Sequence, residues 1–392
     1  VAFGMIGTSL SGVTFISVPG WVVDSQFSYM QMVFGYLMGY LFIALVLLPL
    51  YYKLNLTSIY IYLMSRYGVA SYKTGSIFFI ISRTVGASFR LYIVARIMHL
   101  SIFESWGLPF SLTVLITILL IWLYTFRGGI KTIIWTDTLQ TAFMLSALFF
   151  AIYLISKDLG LEKTELISFI YNSELSKIFF WDGEQHFIRR FLAGAFIAIA
   201  MTGLDQDMMQ KNLSCKNIGE AQRNMIWFSF VLVFVNLLFL YLGSLLYEYA
   251  FINKIIADGD DLFVAVIKSE KLGIFVFITF LLGLMSAAYS SADSALTSLT
   301  TSFCVDFLEM KKNNSKENKL KRKKVHLFIS LLLFIVILMV NYLNNDNIIS
   351  TLFTLASYTY GPLLGLFFFG IFTKRDIYDN YTPYIVLIAP LL

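Results

Sequence analysis

The sequence predicts an all-α integral membrane protein made of two inverted five-helix repeats. Three observations carry this prediction. Of the 392 residues, 58% are hydrophobic and only 14% are charged, against roughly 25% charged in soluble chains. Ten apolar stretches have the ~20-residue length that a bilayer core demands, and lysine and arginine gather in alternate connections between them. Finally, the first and sixth stretches are interrupted by glycine and polar residues at corresponding places.

The composition sets aside cytosolic enzymes, disulfide scaffolds and nucleic-acid binders, despite a net charge of +5. Cys215 and Cys304 are far apart, and His99, His186 and His326 share no ligand spacing, so no metal motif is present. Asp137, Asp205 and Asp293 fall on different helices, without the paired acid and base that an enzyme would need.

The spans are read at 2–20, 27–50, 73–101, 109–127, 131–156, 185–209, 222–250, 273–305, 325–345 and 350–373, with the start of an eleventh near 380. The chain begins at Val1 inside an apolar segment and stops at Leu392 inside another, so truncation at both ends is expected. Alternate connections and the span ends beside them hold 18 basic residues on one side, including Lys211, Lys216 and Arg223 after span 6 and eight in Lys311–Lys324, against eight on the other. By the positive-inside rule span 1 runs from the cytosol outwards. Five spans per half invert the second half, giving repeats at 1–156 and 185–373, an outer loop at 157–184 and an additional helix starting in 374–392.

Span 1 carries Gly4, Gly7 and Gly12 with Thr8, Ser9, Ser11 and Thr14. Span 6 carries Thr202-Gly203-Leu204-Asp205-Gln206. Small residues in membrane helices often serve only close packing; a matched pair in the two repeats points instead to broken helices around a binding site. Span 3 holds Arg83, Arg90 and Arg96, the first two seven apart and so on one face. A guanidinium within a membrane needs an anion, either a substrate carboxylate or a buried aspartate. Span 5 opens with Gly128-Gly129 and continues through Trp135-Thr136-Asp137. On span 8, Ala287, Ser290, Ser291, Ser294 and Ser298 form one stripe, with Asp293 roughly 100° from its centre. Hydroxyls and carbonyls are hard oxygen donors, suited to a dehydrated sodium ion.

At these residues the chain resembles the sodium:solute symporter family, the group of the sodium/glucose cotransporters, proline permeases and bacterial sialic acid transporters. Four segments carry the resemblance: Gly7 to Phe15 with Pro19-Gly20; Gly128-Gly129 with Trp135-Thr136-Asp137 and Gln140; Asp205-Gln206 with Gln210-Lys211; and Ala287 to Ser298. Pro49 to Leu54 adds a fifth. The resemblance implies a LeuT-like fold in a cell membrane, a small-molecule substrate and sodium as the coupling ion.

It also implies a sodium site from the carbonyls of Gly7, Leu10 and Ala287 and the hydroxyls of Ser290 and Ser291. A second site, as in the sialic acid transporters, would use Asp137, Ser290 and Ser294. There Asp293 stands where a serine is expected, which leaves the sodium stoichiometry open. Span 1 is closest to the sialic acid transporters, implying a pocket lined by Ser9, Ser11 and Thr14, with Gln31 from span 2. An arginine of span 3, Arg83 first and Arg90 second, would bind the substrate carboxylate. The function so implied is sodium-coupled import of a carboxylate-bearing solute such as sialic acid. Proline, monocarboxylate or sugar symport, proton coupling and a sensor on the same fold are the alternatives.

Overall fold

The computed structural model describes residues 2–56, 58–125, 130–161, 163–257, 259–269, 273–310, 315–343 and 348–391. Arg127, Gly128, Gly129 and residues 311–314 of the basic run lie outside the described residues. Within the described residues all regular secondary structure is helical, without strands. Among the described residues, seven helices are long and apolar enough to cross a bilayer: Val22–Lys53, Val69–Trp106, Ile134–Asp158, Ile218–Asn253, Gly273–Phe307, Lys316–Leu343 and Thr354–Phe372. They correspond to spans 2, 3, 5, 7, 8, 9 and 10, and the shorter apolar helix Phe110–Leu123 to span 4.

Spans 1 and 6 are broken as expected. Ala2–Ser9 and Gly12–Gly20 meet at 60°, and Phe187–Gly203 and Gln206–Asn212 at 72°. The halves nearer the basic side, Ala2–Ser9 and Gln206–Asn212, are called the inner halves below. In span 1 the ladder closes with the Leu10 N–H donating to the Ile6 carbonyl at 2.7 Å and reopens with Phe15 N–H donating to Ser11 at 3.1 Å. Ser11 between them is extended (φ −90°, ψ 177°). In a continuous helix the carbonyls of residues 7–10 would accept from the amides of residues 11–14, and the break removes those bonds.

In span 6 the freed carbonyls are met by side chains. Tyr51 donates to Gly203 O at 2.9 Å and Tyr60 to Leu204 O at 2.8 Å. Asp205 starts the inner half by accepting from the Asp207 and Met208 amides at 2.9 and 3.3 Å. A bilayer tolerates broken helices only where the protein satisfies the backbone in this way.

Span 2 packs on the outer half of span 6, span 5 on span 8 and the inner half of span 1, and span 3 on spans 8, 9 and 10. The closest approach is glycine-mediated. A methyl group on Gly35 would lie 2.0 Å from the Phe191 carbonyl, and one on Gly194 would lie 2.1 Å from that of Met32. One charge is placed differently from the sequence reading. Lys211, counted with the loop after span 6, closes the inner half of that span and is 1% exposed. Its polar partners inside the bundle explain the burial.

Candidate ion and substrate site

The two breaks lie against spans 3, 5, 8 and 10, and each contributes backbone and side chains to one polar interior. A methyl group on Gly7 would sit 3.0 Å from Ser290 Oγ and 2.3 Å from Thr141 Oγ1, while one on Gly12 would sit 3.7 Å from Leu284. Residues 284–290 of span 8 therefore run alongside residues 12–7 of span 1, and Ala287 falls level with the break. Leu10, Ala287, Ser290 and Ser291 are all buried. Carbonyls released at the break and hydroxyls from one face of span 8 make a neutral, hard-oxygen set suited to sodium.

Beside this set lies Asp137 of span 5, fully buried. Ser290 Oγ donates to its Oδ1 at 2.6 Å, and Lys211 Nζ to its Oδ2 at 2.6 Å. Lys211 also donates to Thr8 Oγ1 through a short contact, and Thr8 reaches Asp137 Oδ2 at 3.4 Å. Ser290 is thus the span 8 hydroxyl bonded to Asp137. Ser294 Oγ is buried with no hydrogen-bond partner among the described residues, and buried Asp293 lies within electrostatic reach of the Lys211 ammonium.

Above the break is a cavity lined by Ser9, Ser11, Thr14, Tyr36, Tyr40, Arg83, Arg90 and Asn236, among others. Both candidate arginines face it, but in different states. Arg83 is 6% exposed and forms a close ion pair with Asp207, with Asp205 at 3.6 Å; Tyr360 of span 10 donates to Asp205 at 2.7 Å. Arg90, partly exposed to the cavity, forms no ion pair or hydrogen bond among the described residues. Gln31 is not among the lining residues. Its amide donates to the carbonyls of Ser28 and Gln185 at 3.3 and 2.9 Å and accepts from Phe180 N–H at 3.2 Å. It anchors the outer loop.

A model of the sodium:solute symporter family matches residues 1–377. The chain belongs to the sodium:solute symporter family. It is 28% identical over 389 residues to the sodium/sialic acid symporter NanT of Aliivibrio fischeri, covering 95% of this chain and 75% of that protein. To the sodium/sialic acid symporter SiaT of Proteus mirabilis it is 27% identical over 391 residues, covering 95% and 76%. Mouse sodium-coupled monocarboxylate transporter 1 is 26% identical over 227 residues, covering 55% of this chain and 35% of its own.

Among solved structures, a substrate-bound, outward-open sodium-coupled sialic acid symporter superposes with a TM-score of 0.80 at 20% identity. That match covers all of this chain and 89% of the other. A nucleobase-cation-symport-1 family transporter matches with a TM-score of 0.60 at 15% identity, covering 100% and 88%. These likenesses establish the LeuT-like inverted-repeat fold. Members of this family carry a small solute with sodium across a membrane, so the chain is a multi-pass membrane transporter with sodium as its coupling ion.

The sequence reading missed Lys211 as an interior charge, Asp207 as the partner of Arg83, and the tyrosines of span 2. Signals for the lysine and the tyrosines were present. An interior Asp137 requires a counter-charge, and Gln210-Lys211 belonged to a segment carrying the resemblance. Tyr29, Tyr36 and Tyr40 repeat at helical spacing along one face.

Proposed function

We propose that this chain imports a carboxylate-bearing solute of the sialic acid class together with sodium, and that Arg90 meets the carboxylate. One observation carries the reading: Arg90 presents a guanidinium to the cavity beside the span 1 break without an acidic partner among the described residues. Arg83, the first choice from spacing, has two aspartates of its own. A guanidinium cannot shed its proton, so in a low-dielectric cavity it favours an anion, and its planar fork suits a carboxylate. Ser9, Ser11, Thr14 and Asn236 offer hydrogen bonds to the hydroxyl and amide groups of such a solute. The similarity to sialic acid symporters supports the substrate class.

Sodium bound by the carbonyls of Gly7, Leu10 and Ala287 and the hydroxyls of Ser290 and Ser291 would tie span 8 to span 1. That tie orders the break whose hydroxyls line the cavity, so sodium prepares the pocket and the solute in turn strengthens sodium binding.

The test is uptake of labelled N-acetylneuraminate by the full-length protein in proteoliposomes, with an inward sodium gradient and with potassium in its place. Truncating one partner of a buried charge pair costs about 2–5 kcal/mol, so Arg90→Ala is expected to lower sodium-dependent uptake at least ~30-fold, with partial recovery in Arg90→Lys. Sodium-driven uptake of proline or a monocarboxylate, but not of sialate, would overturn the substrate class. Unimpaired sialate uptake by Arg90→Ala would overturn the role of the arginine.

A further inference from the structure

We propose that the Lys211 ammonium is the resident cation of the Asp137 pocket, so that sodium enters only the site between spans 1 and 8. The proposal deepens the sodium-coupled reading and rests on it.

The Asp137 pocket has the donors of a cation site: a carboxylate, the Thr8 hydroxyl and the Ser290 hydroxyl, all buried. Its two carboxylate oxygens are engaged separately. Oδ1 accepts from Ser290 at 2.6 Å and Oδ2 from Lys211 at 2.6 Å, while a second ammonium N–H is directed at Thr8 Oγ1. An ammonium thus holds the carboxylate and hydroxyl that a metal ion here would need. A sodium ion beside Asp137 would meet a unit positive charge a few ångströms away in a medium of low dielectric, where like charges repel strongly. Unlike a diffusing ion, this cation is tethered, because Lys211 closes a helix held at both ends. Asp205 caps its start, Tyr52 donates to Asn212 O at 3.0 Å, and Asn224 donates to Asn212 Oδ1 at 2.8 Å.

One carboxylate therefore joins the inner halves of both broken spans to spans 5 and 8. The interior aspartate is neutralised without an ion from solution. The serines of span 8 are left to serve one sodium through Ser290, Ser291 and the span 1 carbonyls.

The experiment counts radioactive sodium bound per chain by the purified full-length protein in detergent, with choline as the balancing cation. Because sodium is the only ligand, an error in the substrate class leaves the result intact. One sodium is expected for the wild type, two for Lys211→Met, and one again for Lys211→Met combined with Asp137→Asn. Two ions bound by the wild type, with one lost in Asp137→Asn, would overturn the proposal. A single ion bound by Lys211→Met with wild-type affinity would also overturn it. Wild-type protein that binds no sodium would overturn the sodium-coupled reading, and this inference with it. Should Lys211→Met fail to fold, the wild-type count still decides.

Discussion

Arg83 and Arg90 share a helix face, yet their surroundings assign them different work. Arg83 neutralises Asp207 and Asp205 inside the protein. Removing it strands buried carboxylates, so Arg83→Ala is expected to lose about 3–5 kcal/mol of stability, the usual cost of breaking a buried pair. Arg90→Ala removes no ion pair or hydrogen bond found among the described residues and should leave the thermal midpoint near that of the wild type while abolishing sialate binding. Thermal unfolding in detergent alongside ligand binding separates the two, and equal destabilisation by both would contradict the division. Spacing alone could not distinguish these residues, because the deciding aspartates lie more than 100 residues away in sequence. Ser291 is the complementary case: its hydroxyl belongs to the stripe and makes no hydrogen bond among the described residues. Ser291→Ala is expected to raise the sodium concentration for half-maximal uptake about tenfold, equivalent to ~1.4 kcal/mol. An unchanged sodium titration would exclude Ser291 as a ligand.

At the scale of the element, the broken helices were legible in advance because glycines and hydroxyls interrupt otherwise apolar runs at matched positions. What closes the breaks was not legible, since the closing groups come from other helices. Tyr60 is fully buried and donates to the Leu204 carbonyl; Tyr60→Phe leaves that carbonyl unsatisfied and should cost about 1–3 kcal/mol. The start of span 3 is closed from still farther away. Asp379 accepts from the Ala70 and Ser71 amides at 2.8 Å each and from Ser71 Oγ at 2.5 Å. Gly68 just before it adopts φ +143° and has no room for a methyl group beside the Asp379 carboxylate. Partial burial pushes the Asp379 carboxyl up, but the hydrogen bonds from Ser71 and Ala70 outweigh it and hold the group below the ordinary aspartate range. The cap's contribution is therefore complete above the unfolded aspartate pKa, ~4, and is lost as pH falls through the folded value. Asp379→Ala should cost about 1 kcal/mol at neutral pH, as for other helix caps, and the difference from the wild type should shrink in acid. A difference independent of pH would contradict the cap.

At the scale of the molecule, the all-helical membrane class, the inverted-repeat fold and the family were readable, because a bilayer restricts the chain to apolar helices of fixed length. Lys211 was the exception. A lysine near a helix end looks like a topology signal; the need of Asp137 for a counter-charge pointed inward, and the assembled bundle shows that Lys211 is the residue that supplies it. Coupling belongs to this scale as well. If sodium orders the break that lines the cavity, the factor by which sodium raises sialate affinity must equal the factor by which sialate raises sodium affinity, typically 5–150-fold. Equilibrium binding of each ligand at saturating and zero concentrations of the other measures both factors; independence of the two would remove the coupling through span 1.

Gln31 gives the outer surface a use of its own. Its buried amide fastens the outer end of span 2 to residues 180 and 185, and the helix that follows this loop, span 6, packs against span 2 through glycine contacts. The exposed ring of Trp181 nearby is consequently a surface marker for helices buried beneath it. A rigid antibody fragment that recognises residues 178–186 would grip spans 2 and 6 at this loop, offering a handle for arresting the transport cycle without entering the binding cavity.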